Sequence, residues 1–343
     1  MNIELNICFH NDLVNKVRSV QCLLIMSSKK LMIVDTDCGI DDALALVMVL
    51  GRPEWEILAV TCVAGNVELQ KVCPNVLRVL NLCHKKDIKV YKGCDKALVN
   101  NNFKACQHHH IDGFGGVASE FSTGNLKFEE TPHASIVILD LVKKHPNEIT
   151  LVALGPLTNL ALCNRLDPNF TTYIKQLIIM GGNIDARGNI MKCSEFNFAF
   201  DPEAAQMIVT EAVCPVRILP WETCFRHSVQ WEWFDKWVQI DTPKGHLAQK
   251  ITAEASYRVR HILGRTAFCC CDLLAMATIV QPEIIKKQIK RCVEVELHGQ
   301  HTRGMMLVER RPAALKDCLS NVEIVKEVDM EKLKMMYTEM LEH

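Results

Sequence analysis

The sequence predicts an α/β protein built on a single doubly wound, mostly parallel sheet, with additional helices and strands toward its C-terminus. Three observations carry that prediction. From Leu31 onward, short β-rich apolar runs alternate with stretches of helical periodicity, the pattern of βαβ units. Hydrophobic residues make up 49% of the 343 and charged residues 23%, the balance of a globular chain able to bury a substantial core. No internal repeat and no low-complexity linker divides the chain, which favours one domain over residues 31–343.

Leu31-Met32-Ile33-Val34 reads as a buried strand, and residues 41–50 as the helix after it. Further strands are expected at residues 57–63, 88–91, 149–154, 177–180 and 216–219, with helical segments between them. Two longer irregular segments, residues 93–131 and 181–200, are rich in Gly, Asn and His, and long loops in compact domains are usually functional or disordered. After Pro220 a mainly helical stretch is expected as far as residue 280. Its aromatics Trp231, Trp233, Phe234 and Trp237 read as packing rather than as a base-stacking platform. Strands at residues 293–297, 305–308 and 322–325 precede a C-terminal amphipathic helix. Residues 1–30 read as a peripheral or disordered leader. Glu4, His10, Asp12, Lys16 and Arg18 interrupt any apolar core there, which argues against a secretory signal, and Met26 offers an alternative start.

The net charge of −1 gives no basic surplus for sequence-independent binding to nucleic acid. No run approaches the roughly 20 apolar residues needed to cross a bilayer. Neither nucleic acid nor a membrane is therefore an expected partner. The chain has 17 cysteines, and Cys62, Cys73, Cys83, Cys163 and Cys214 lie inside apolar patterns. That placement suits free thiols in a reducing compartment and hence a cytoplasmic protein. Cys269-Cys270-Cys271 has no Cys-x-x-Cys partner pair for zinc, and spacing alone makes His108-His109-His110 a solvated loop.

The sharpest feature is acidic. Asp35, Asp37, Asp41 and Asp42 put four carboxylates within eight residues where a strand turns into a helix. They would repel one another unless a cation or hydrogen-bond donors compensate. Ligands bind at the carboxyl ends of strands in such sheets, and oxygen-only donors favour a hard cation, calcium or magnesium. Helix capping by Asp41 and Asp42 would account for two carboxylates, not four. An Asp-x-Asp phosphotransferase of the haloacid dehalogenase type fits less well, because of the extra Gly39-Ile40-Asp41-Asp42.

The segment Asp35-Thr36-Asp37-Cys38-Gly39-Ile40-Asp41-Asp42-Ala43 resembles the N-terminal signature of the inosine-uridine preferring nucleoside hydrolase family. Other segments match that family in order: Ala64-Gly65-Asn66, His109 with Asp112-Gly113-Phe114-Gly115-Gly116, and Ala153-Leu154-Gly155-Pro156-Leu157-Thr158-Asn159. Met180-Gly181-Gly182, Gly188-Asn189, Glu195-Phe196-Asn197 and Asp201-Pro202-Glu203-Ala204-Ala205 are similar to its ribose-binding segment. The resemblance implies a Rossmann-like nucleoside hydrolase fold and hydrolysis of ribonucleosides to free base and ribose, within purine and pyrimidine salvage. It also implies a Ca2+ cofactor and a homodimer or homotetramer.

By that resemblance the carboxylates of Asp37, Asp42 and Asp272 and the backbone carbonyl of Leu154 would bind calcium. Asp41 and Asn66 would hold the ribose 2′-hydroxyl, Asn197 and Asp272 the 3′-hydroxyl, and Asn189 with Glu195 the 5′-hydroxyl. Met180 falls in the same ribose-binding segment, His109 would face the pocket, and Asp35 would support the turn. Asp37 is the candidate base for a calcium-bound water, and a ring of carboxylates suits an oxocarbenium-like ribose. Where many members carry a histidine before the last calcium ligand, this chain has Cys271 and resembles a cysteine-bearing subgroup. A thiol is a weaker proton donor than imidazolium. Cys38 stands where proline is usual, and Trp221 is expected to be buried rather than stacked on a base. A non-catalytic ribonucleoside-binding protein with the same pocket is the alternative.

Overall fold

The computed structural model describes residues 29–99, 107–314 and 322–343, so the expected leader lies, as far as residue 28, outside the described residues. The chain opens with β1 (Lys30–Thr36), α1 (Ile40–Leu50), β2 (Trp55–Cys62), α2 (Leu69–Leu82) and β3 (Val90–Lys92). After the first long loop come α3 (Ala134–Lys144), β4 (Ile149–Ala153), α4 (Thr158–Leu166) and β5 (Gln176–Met180). The second long loop leads to α5 (Phe196–Phe200), α6 (Pro202–Glu211) and β6 (Val216–Leu219). The later part holds α7 (Trp221–Arg226), β7 (Val229–Gln230), α8 (Trp231–Trp237), α9 (Pro243–Tyr257), β8 (Ala267–Phe268) and α10 (Cys271–Val280). It ends with β9 (Ile285–Arg291), β10 (Val293–Val295), β11 (Met306–Val308), β12 (Val322–Val328) and α11 (Met330–Glu342).

Eight strands form the main sheet in the order β3-β2-β1-β4-β5-β6-β12-β9. All neighbours are parallel except β12 and β9. Both faces are covered. Met32 and Val34 join one apolar cluster while Ile33 joins the other, and Leu151 and Val152 divide in the same way. Side chains alternate across a strand, so a strand buried on both faces reads as a continuous apolar run. That is why β1 to β6 were visible in the sequence. Strand β9 was not, because its sequence IKKQIKR is the charged edge of the sheet, where lysines discourage further strand pairing.

The strand order fixes where a ligand can sit. From β1 the chain winds outward through β2 to β3, then returns to β4 on the other side of β1 and winds the opposite way. Adjacent strands whose connections diverge leave a crevice beyond their carboxyl ends. Leu154 N donates to Asp35 O at 2.9 Å and Val63 N to Thr36 O at 3.0 Å, so the turns after β1, β2 and β4 converge on that crevice. Helix α10 packs against α1 and brings the distant Asp272 to the same place. The aromatic cluster is packing as expected: Phe234 and Trp237 are buried, and Trp237 Nε1 donates to Tyr337 O at 2.7 Å. Among the described cysteines, Cys292 is disulfide-bonded, whereas Cys62, Cys73, Cys83, Cys163 and Cys214 are free thiols as expected. No helix among the described residues is long and apolar enough to cross a membrane.

Candidate active site at the switch point of the sheet

The four carboxylates of the first turn are held in four different ways. Asp35 Oδ1 accepts from Thr61 Oγ1 at 2.5 Å and Asn159 Nδ2 at 2.8 Å, tying β1 to β2 and α4 below the crevice. Burial outweighs those bonds and pushes its carboxyl up to about 7. Asp37 Oδ2 accepts from Asn66 N at 2.7 Å. Asp42 accepts from Thr36 Oγ1 at 2.5 Å, Gly39 N at 2.9 Å and Asn66 Nδ2 at 3.1 Å. The bond to Gly39 is a helix cap. Asp41 does not cap its own helix: its Oδ2 takes the first N–H groups of α10, from Cys271 at 3.1 Å and Asp272 at 3.4 Å. A carboxylate at a helix N-terminus meets the positive end of the dipole.

Three carboxylates, those of Asp41, Asp42 and Asp272, offer oxygens within 4.8 Å of one another. Asp37 is outside that trio and Asp41 stands in it, although the family pattern names Asp37 and not Asp41 as a ligand. Yet Asp37 Oδ1 and Asp272 Oδ1 are buried without a hydrogen-bond partner, in residues 1% and 4% exposed. Burial first, then the charge of neighbouring carboxylates, raises the carboxyls of Asp37, Asp42 and Asp272 above the ordinary range. Unpartnered buried carboxylate oxygens cost free energy unless a cation or a proton meets them. The donor set is all oxygen and fits a hard cation such as calcium rather than zinc.

A cavity of about 250 Å³ opens over this cluster, room for a small molecule and not a polymer. Asp41, Asn66, Leu154, Met180, Asn189, Glu195, Asn197, Cys271, Asp272 and His109 all line it. Asp37 and Asp42 lie beneath. Asn197 Nδ2 donates to Leu154 O at 2.7 Å and to Met180 O at 3.0 Å, which orients the amide across the ends of β4 and β5. The Leu154 carbonyl keeps a second lone pair for a ligand. Glu195 accepts from the backbone N–H groups of Gly182, Asn197 and Phe198 at 2.9, 2.9 and 3.2 Å, and burial pushes it up to about 7. Asn189 lines the cavity from an exposed stretch of the second long loop.

Two expectations are corrected. The histidine triplet is not a solvated loop: Gln107–His109 forms a short 3-10 turn, and His109 is buried. Its Nδ1 accepts from Ile40 N at 3.0 Å, the first helical N–H of α1. Burial and the neighbouring His108 push His109 down to about 4, so it is neutral, with its proton on Nε2. Trp221 is not buried away. It lines the cavity, half-exposed, beside Ser228, Arg258 and Arg265. Cys271 lies in the wall with its Sγ 3.7 Å from Cys269 Sγ. Its hydrogen bond with Cys224, and burial, raise the thiol well above the usual range, so it keeps its proton.

Sequence reasoning also passed over Thr36, which bonds Asp42, and the two arginines, which carry no motif and sit in a helical stretch. The place of Thr36 between Asp35 and Asp37 is the signal that could have pointed to it.

Comparison with known proteins gives one answer. The family model described as inosine-uridine preferring nucleoside hydrolase matches residues 32–335. The chain is 32% identical over 304 residues to an inosine-uridine preferring nucleoside hydrolase of Crithidia fasciculata, covering 88% of this chain and 94% of that protein. Among solved structures it resembles an inosine-guanosine nucleoside hydrolase with a TM-score of 0.81 at 28% identity, covering 91% of this chain and 98% of that one. A purine-preferring ribonucleoside hydrolase from Gardnerella vaginalis superposes with a TM-score of 0.82 at 26% identity, with the same coverage of 91% and 98%. A match running from β1 into α11 takes in every residue of the acidic site, and the chain belongs to the inosine-uridine preferring nucleoside hydrolase family.

Proposed function

We propose that this nucleoside N-ribohydrolase cleaves the C1′–N bond of ribonucleosides to free base and ribose, with Asp37 as the base that takes a proton from the attacking water. The observation that carries the reading is the pair of buried oxygens, Asp37 Oδ1 and Asp272 Oδ1, that have no hydrogen-bond partner beneath a small-molecule cavity. Asp37, Asp42, Asp272 and the Leu154 carbonyl would hold calcium. Bound there, calcium supplies charge neutralisation for the carboxylates and Lewis acidity toward water. Asp41 and Asn66 bind the 2′-hydroxyl, Asn197 and Asp272 the 3′-hydroxyl, and Asn189 with Glu195 the 5′-hydroxyl. Binding energy from three hydroxyls fixes C1′ against the water. The surrounding carboxylates favour the positive charge that develops on the ribose. Similar proteins are named for inosine and uridine, for inosine and guanosine, and for purines, and the shared class is the ribonucleoside. We place the activity in one catalytic domain, residues 31–343.

The test is a reducing-sugar assay on purified protein with calcium and inosine, uridine, adenosine or cytidine. Ribose release from at least one substrate is expected; none from any of the four would overturn the reading. Asp37→Asn is expected to lower kcat at least about 100-fold, the scale of a lost general base, with the far-UV circular dichroism spectrum unchanged.

A further inference from the structure

The cavity wall holds both acidic and basic side chains. It carries Arg258, on the π-turn Arg258–Ile262 that follows α9, and Arg265, just before β8. Both are half-buried. Neither guanidinium has a hydrogen bond or ion pair to another described residue. Arg260, two residues from Arg258, shows what a structural arginine looks like here: it pairs with Asp235 at 2.7 Å and covers Trp231. Arg265 instead lies over the rings of Phe225 and Trp221, with centroids 4.9 and 5.8 Å away, a stacking that steadies the group and leaves its N–H donors free.

Acidic and basic groups act on the same ring. Burial first, and then Arg258 and Arg265 acting against Asp41, hold the His108 imidazole below its ordinary range, and both arginines line the same cavity as that ring. The His108 ring is 5.0 Å from that of His109, whose Nδ1 is 3.9 Å from Asp41 Oδ1. Asp41, Asp272 and the two arginines thus share one cavity with both imidazoles.

Heterolysis of a C1′–N bond creates charges of both signs. The bonding electron pair leaves with the base, whose ring carbonyl oxygens take up the negative charge, while C1′ becomes cationic. We propose that Arg258 and Arg265 are the leaving-group residues of this enzyme, binding the departing base as an anion through its carbonyl oxygens. This rests on the ribonucleoside hydrolysis proposed above. The water oxygen bonds to C1′, its proton passes by way of Asp37 to solvent, and the base anion collects a proton from solvent after it has left. Preorganised donors aimed at developing charge are among the largest single contributions to catalysis. An acid on the base is then unnecessary, which accounts for a chain that has cysteine where an imidazole is expected.

The experiment compares two leaving groups. Arg258→Gln and Arg265→Gln are each expected to lower kcat/KM for inosine and uridine roughly 100-fold, the cost of one lost donor to an oxyanion. On 4-nitrophenyl β-D-ribofuranoside, whose phenolate departs unaided, the same variants should lose less than about 3-fold, because the ribose contacts are intact. Retained aryl riboside activity also shows that the variants are folded. Parallel losses on both kinds of substrate, or no loss on the nucleosides, would overturn the proposal while leaving ribose chemistry in place. A wild-type enzyme inert toward the aryl riboside and the nucleosides alike refutes the hydrolase reading itself, and this proposal with it.

Discussion

Asp41 and Asp42 are neighbours in the chain and point to different helices, Asp42 back to the cap of α1 and Asp41 across to the start of α10. That division follows from the helix: successive side chains are separated by about 100°, so only one of the two can reach its own N-cap. The arrangement leaves little room around the carboxylates. A Cβ on Gly65 would come within 2.2 Å of Asp37 Oδ2, and one on Gly155 within 2.9 Å of Asp37 Oδ1. Gly65→Ala must therefore displace Asp37 or the turn after β2. We expect it to cut kcat by at least roughly 10-fold, a displaced rather than a deleted base. The steady-state assay checks this, and wild-type kinetics would show that the turn yields without moving the carboxylate.

Elements place the remaining contacts. The second long loop is fastened at both ends: Glu222 on α7 accepts from Ile184 N and Asp185 N, each at 2.8 Å, and Glu195 closes it by capping α5. The buried Glu195 titrates at about 7 in the folded chain against an ordinary value of 4.5. The folded state thus holds a proton that the unfolded chain releases. Its contribution to stability is present below the unfolded value and is lost as pH rises through about 7, an amount on the order of 3 kcal/mol. Metal-free protein is expected to melt at a lower temperature at pH 8 than at pH 5, and Glu195→Gln should make that difference smaller. An unchanged difference in the variant would remove Glu195 from the account.

At the scale of the molecule, two segments far apart in sequence share one charge problem, which a bound cation would solve. Asp37, Asp42 and Asp272 are buried together and raised above the ordinary carboxylate range, so a bound cation stabilises the folded state by mass action. Chelation should lower Tm, and calcium at about 100 times its Kd should restore about 3 kcal/mol. A Tm indifferent to chelator and to calcium would argue against a cation in this cluster.

The sequence by itself determined the alternating parallel architecture, because strands buried on both faces must be apolar throughout. It also located the acidic turn after β1, because four carboxylates so close in the chain are close in any fold. It could not reveal β9, whose lysines guard a sheet edge, nor that Asp41 belongs to the far helix. The neutral tautomer of His109, set by the N–H of Ile40, and the place of Trp221 in the cavity wall likewise depend on packing. Arg258 and Arg265 carry no motif at all. Only the tertiary structure, by bringing the π-turn to the crevice, puts these two cations in the same cavity wall as Asp41 and Asp272. Local charge density is written in the chain; the charge that joins it in a cavity wall is decided by the packing together of segments more than two hundred positions apart.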